Sequence, residues 1–90
     1  MITVRHLSGD EYEVKVSDAT VTIHRVTLRE ADRQRLGGKD VSAEQLLEES
    51  FRFLLERESN TSILSSFDLP VIGKYFPEYE GEIRKWLKHG

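Results

Sequence analysis

Apolar and polar positions alternate along the first third of the chain and recur at helical spacing through most of the remainder. From Met1 to Leu7, Ile2, Val4 and His6 alternate with Thr3, Arg5 and Leu7, the period of a strand. Ser8-Gly9-Asp10 reads as a compact turn. Tyr12, Val14 and Val16 then alternate with Glu13, Lys15 and Ser17, which predicts a half-buried strand with a charged outer face. After a second turn at Ser17-Asp18-Ala19, TVTIHRVTL is rich in β-branched residues. Its period slips at His24-Arg25: Val21 and Ile23 share one phase, Val26 and Leu28 the other. The slip predicts a bulge or bend near the end of the sheet. Together the three runs predict an antiparallel meander over residues 1–28.

Thr27-Leu28-Arg29-Glu30 has the form of a capping box, so a short, mostly exposed helix is expected over 28–37, closed by Gly37-Gly38. The strongest helical pattern is VSAEQLLEESFRFLLERE. Ser42 is placed to cap it with Gln45 completing the box, and Val41 with Leu46 forms a hydrophobic staple. Over 42–58, Ala43, Leu46, Leu47, Ser50, Phe51, Phe53, Leu54 and Leu55 fall on one side, an arc too wide for a single partner element. Asn60 suits a left-handed C-terminal cap. Over 62–88 the pattern predicts short helical turns and a terminal helix. Thr61 or Ser62 caps a turn holding Ile63, Leu64 and Phe67, and Asp68 caps another with Pro70 in its first turn. Pro77 makes a corner, and Tyr79, Ile83, Trp86 and Leu87 form the stripe of the last helix, which buries Trp86. The fold class is α+β: a three-stranded antiparallel β-meander followed by a helical C-terminal part packed on it.

Ninety residues make one domain, 1–90, with one modest core. The absence of cysteine excludes disulfides, thiolate metal sites and a cysteine nucleophile. Neither a signal peptide nor an apolar spanning run is visible, so a cytoplasmic protein without a membrane partner is the expectation. The net charge of −3 is unevenly spread. Residues 25–39 hold five basic and two acidic side chains, and residues 40–60 hold two basic and six acidic. Two readings follow: mutual neutralisation across a turn, or a basic face for nucleic acid built from Arg25, Arg29, Arg33 and Arg35. The first carries more weight, because an acidic chain lacks the usual electrostatic footprint.

The residue pattern offers no catalytic residue, no cofactor-binding residue and no metal site. His6, His24 and His89 lack the spacing of a metal motif, and the first and third strands of a meander are not neighbours. The serines at 59, 62, 65 and 66 read as caps, and Gly37-Gly38-Lys39 lacks the rest of a phosphate loop. One cluster exceeds this background. Phe67, Tyr75, Phe76 and Tyr79, with Leu69, Val71 and Ile72, crowd a segment punctuated by Pro70 and Pro77. Core packing explains most of it, and an interface at Tyr75, Phe76 and Tyr79 explains the rest.

With FRFLLERE, SILSSFDLPVIGKYFPEY and HRVTL, the chain resembles a group of small bacterial conserved hypothetical proteins of about this length, FDLPVIGKYFPEY being the most specific part. The resemblance implies a bacterial cytosolic single-domain protein and assigns no functional residue. The functional expectation is therefore a non-enzymatic protein-interaction module that self-associates, as a homodimer, with a further protein partner undefined. A nucleic-acid-associated regulator using the segment 25–39 is the alternative.

Overall fold

The computed structural model describes residues 1–89, apart from the side chain of His89; the imidazole of the third histidine considered above, and Gly90, therefore lie outside what is described. Strands β1 (Ile2–Ser8), β2 (Glu11–Ser17) and β3 (Val21–Thr27) form the antiparallel meander. Gly9, at φ 52°, supplies the left-handed conformation that the first turn needs. Helices α1 (Glu30–Gly37) and α2 (Ala43–Leu55) follow. The chain then returns to the sheet as a fourth strand, β4 (Ser66–Asp68), parallel to β3, and ends with α3 (Ile72–Tyr75) and α4 (Tyr79–His89). The strand order is β1-β2-β3-β4. The protein is thus α+β, with four strands where the sequence predicts three. Three residues are too few for a period to register, and a parallel partner is met only after a long crossover.

The predicted irregularity in β3 is absent. Its pairing with β2 runs unbroken from Glu11↔Thr27 to Ser17↔Val21. The inner face of the strand is Thr22, His24 and Val26, while Val21 and Ile23 lie on the outer face at 55% and 56% exposure. The apparent slip arises because a buried histidine occupies an inner position and two aliphatic residues occupy outer ones. The Leu64 carbonyl can only accept, so His24 Nδ1 carries the proton at 2.7 Å, and Nε2 accepts from the Thr22 hydroxyl at 2.9 Å. Both ring nitrogens are satisfied, which is what permits the burial. The bulge lies instead in the β1–β2 pair, between His6 and Ser8.

Two expected caps are also used differently. Thr27 is the last residue of β3 and donates its hydroxyl to Glu11 at 2.9 Å; Leu28 is buried, and the helix starts only at Glu30, with Arg29 as its extended N-cap. Asn60 is not a left-handed cap. It is buried, and its Nδ2 donates to the Thr20 carbonyl (2.7 Å) and to Thr22 Oγ1 (3.0 Å), tying the chain after α2 to the start of β3. Ser42 caps α2 as predicted, accepting from Gln45 N at 3.1 Å.

The inner face of the sheet carries the core. Val14, Val16 and Val26 meet Leu46, Leu47, Phe51 and Leu54 of α2, all of them buried. The wide apolar arc of α2 is explained by its several partners, since it packs on β1, on α4 and on α1. Each such side chain stabilises the fold by about 1.5–3 kcal/mol on burial. Leu55 and Trp86 are only half-buried; Trp86 reaches Phe53 with ring centroids 6.0 Å apart.

Candidate interface groove

The aromatic segment divides at the Phe76-Pro77 corner. Tyr79, at the start of α4, is fully buried against α2. Ser50 donates its hydroxyl proton to the Leu46 carbonyl (2.7 Å), so Tyr79 is left to donate to Ser50 Oγ (2.6 Å). Burial pushes the Tyr79 phenol well above the usual tyrosine range, with the Ser50 contact opposing the shift. Phe53 is the hub of this side, 5.2 Å from the Tyr79 ring and 5.9 Å from Phe76. The Arg57 guanidinium stacks 3.6 Å over Phe53 and is held by Glu78 at 3.1 Å. Of the three residues predicted as an interface, Tyr79 therefore belongs to the core instead.

Tyr75 lies on the other side of the corner and is 67% exposed. It forms the rim of an apolar groove of about 240 Å³ between the end of α2 and the segment from Ile63 to Phe76. Leu54, Ile63 and Ile72 are buried and make its floor; Phe67 and Phe76 are half-buried walls. Leu64, 48% exposed, lies at the rim. Glu58 and Ser62 are the polar groups at its margin. This lining suits an apolar side chain flanked by a charge. Its polar groups are the Glu58 carboxylate and the hydroxyls of Ser62 and Tyr75. Sequence reasoning finds the aromatics and misses Ile63, Leu64 and the return strand that holds Phe67 against α2; their signal, an apolar pair three residues before a phenylalanine, reads equally well as a helical turn.

The four arginines of the alternative are each engaged by a carboxylate of the chain. Arg25 faces Glu11 at 3.7 Å, and Arg29 pairs with Asp68 at 3.3 Å. Arg33 pairs with Glu30 at 2.7 Å, and Arg35 pairs with Asp32 and with Glu80 of α4. Arg33 holds the Glu30 carboxyl down to about 2. Their partners lie on β2, on β4, within α1 and on α4, so each of the four guanidinium groups has a carboxylate of the chain beside it. A second hollow of about 440 Å³ between the end of α1 and α4 collects Lys39, Arg84 and Lys88 beside Asp40. It is wide, and the carbonyl end of α1 at its margin disfavours an anion.

Among the described residues, no three His, Cys, Asp or Glu side chains gather where they could hold a cation. Among the described residues, no helix is long and apolar enough to cross a membrane. Comparison with protein-family models, with curated proteins and with solved structures finds no match, so the functional reading rests on geometry and chemistry alone.

Proposed function

We propose that the chain is a non-enzymatic, self-associating protein-interaction module of the cytoplasm, docking through the groove between α2 and the 63–76 segment. The observation that supports this reading is Tyr75, a large aromatic at 67% exposure beside an apolar groove whose walls are themselves half-open. The occupant is a second copy. Among the described residues, neither Lys74, next to Tyr75, nor Glu58, at the groove margin, has an ion-pair partner within the chain. An isologous contact that seats Tyr75 of each copy in the groove of the other brings Lys74 of one copy toward Glu58 of its partner. One self-complementary patch then removes both the exposed ring and the two unpaired charges.

Sedimentation velocity across the micromolar range tests this. The wild type is expected to associate as its concentration rises, and Tyr75→Ser to lose the part of that association made through the groove. Lys74→Glu weakens association by roughly five-fold, equivalent to about 1 kcal/mol, and adding Glu58→Lys to it restores association. A monomer at every concentration overturns the reading, as does a double charge reversal that restores nothing.

A further inference from the structure

The edge of the sheet opposite the groove carries a second, independent contact. β1 is hydrogen-bonded to β2 alone, whereas β4 and the groove lie beyond β3. Ser17 N donates to Met1 O at 2.8 Å, and the register pairs Thr3 with Lys15 and Arg5 with Glu13. This fixes the phase of the antiparallel ladder: Met1, Thr3 and Arg5 turn their backbone groups toward β2, and Ile2, Val4 and His6 turn theirs to the open edge. The edge lacks the usual protections. No proline or lysine lies between Ile2 and Ser8, the bulge comes only after His6, and Arg5 is drawn across the outer face to Glu13 at 3.2 Å. The apolar stripe is also unfinished there. Val14 and Val16 of β2 are buried, yet their register partners Val4 and Ile2 are only half-buried beneath α2.

We infer that β1 pairs antiparallel with β1 of a second copy, about a two-fold axis through Val4, joining two four-stranded sheets into one continuous sheet. In this register Val4 faces Val4 of the partner copy, Ile2 faces His6, and Thr3 faces Arg5. Each outward residue contributes one N–H and one C=O, so all three on both chains are satisfied at once. The neighbouring registers are poorer. An axis at Arg5 sets two guanidinium groups opposite each other, and an axis at Ile2, Thr3 or His6 leaves outward groups of the strand unpaired. The chosen register also extends the apolar row of Ile2 and Val4 with the same row of the partner. This contact does not rest on the groove, and the two lie at opposite edges of the sheet, so one copy can use both, which carries association beyond a dimer.

The chain has no cysteine, which makes cross-linking selective. Thr3→Cys and Arg5→Cys variants, each alone and mixed, are oxidised at a concentration where the wild type associates. Facing positions in this register lie within disulfide reach, so a covalent dimer is expected from the mixture and not from either variant alone. Val4→Pro removes the N–H on the axis without touching the β1–β2 ladder and is expected to lower edge association at least ten-fold while the circular dichroism is unchanged. Should proline disturb the fold, Thr3→Lys, an exposed change that opposes Arg5 with a like charge, is expected to weaken association, and Thr3→Glu to strengthen it. Cross-linking that is no better in the mixture than alone overturns the register. Association unaffected by Val4→Pro, Thr3→Lys and Thr3→Glu overturns the edge contact. If Tyr75→Ser abolishes association and the edge variants leave it intact, the groove stands and the edge falls; the reverse result removes the groove and keeps the edge.

Discussion

Tyr75 and Tyr79 stand four residues apart on either side of the Phe76-Pro77 corner, and their surroundings are opposite. Tyr79 is enclosed by α2, with Phe53 at 5.2 Å, and its hydroxyl finds Ser50 in mid-helix. Tyr75 ends α3 at the rim of a groove and is two-thirds exposed. The residue type is the same, so the difference lies in what each tip meets. A buried phenol needs an acceptor in the right place, and Ser50 provides one because its own proton is committed to the Leu46 carbonyl. The corner at Pro77 rotates the next residues away from the groove and onto α2, dividing one aromatic run into a core half and a surface half.

The largest expected effect is on the core half. Phe53→Ala removes the ring that Tyr79, Phe76, Trp86 and Arg57 all contact, and denaturant titration should show a loss of about 3–5 kcal/mol. A loss below about 1 kcal/mol would mean that the two halves do not differ in the way described. Alkali should act next. Between about pH 10 and the raised Tyr79 value, the unfolded chain has lost the phenol proton and the folded chain keeps it. The unfolded state then binds fewer protons, so unfolding free energy falls as pH rises, with a slope approaching about 1.4 kcal/mol per pH unit. Tyr79→Phe should flatten this slope relative to the wild type. A smaller one remains from Tyr12, which is raised first by burial and then by Glu44.

At neutral pH, Tyr79→Phe should cost about 1 kcal/mol, the net worth of one buried hydrogen bond, because Ser50 still has the Leu46 carbonyl. Chemical denaturation of the two proteins side by side checks this, and an unchanged midpoint would show that the Ser50 contact contributes nothing. The smallest effect on stability is expected on the surface half: Tyr75→Ser should stay within about 0.5 kcal/mol in dilute solution. A large loss of monomer stability would place Tyr75 in the core with Tyr79 and erase the distinction between them. Trp86 gives a direct reading of intermediate exposure, since iodide should quench its emission partially; quenching as complete as for free indole would show α4 detached from Phe53.

Much of the fold is legible in the residues themselves. The alternation of Tyr12, Val14 and Val16, the cap at Ser42 and the arc from Leu46 to Leu54 are local patterns, and local patterns follow from backbone period and from which groups a helix end leaves unpaired. What the residues leave undecided is settled by contacts between segments far apart in the chain. β4 exists because Phe67 comes to lie beside Val26, and three residues hold no periodic signal of that pairing. His24 takes an inner position because the Leu64 carbonyl, forty residues on, accepts its proton, so an aliphatic count mistakes the regular strand for a bulged one. Asn60 and Thr27, both good caps by type, are drawn instead to Thr20 and Glu11. The candidate site divides in the same way. Its aromatic character is written in the segment from Phe67 to Tyr79, whereas the assignment of Tyr79 to the core and Tyr75 to the groove depends on where α2 places Ser50. Local sequence fixes which side chains can be buried or exposed, and only the packed chain brings the distant donor or acceptor that decides between them.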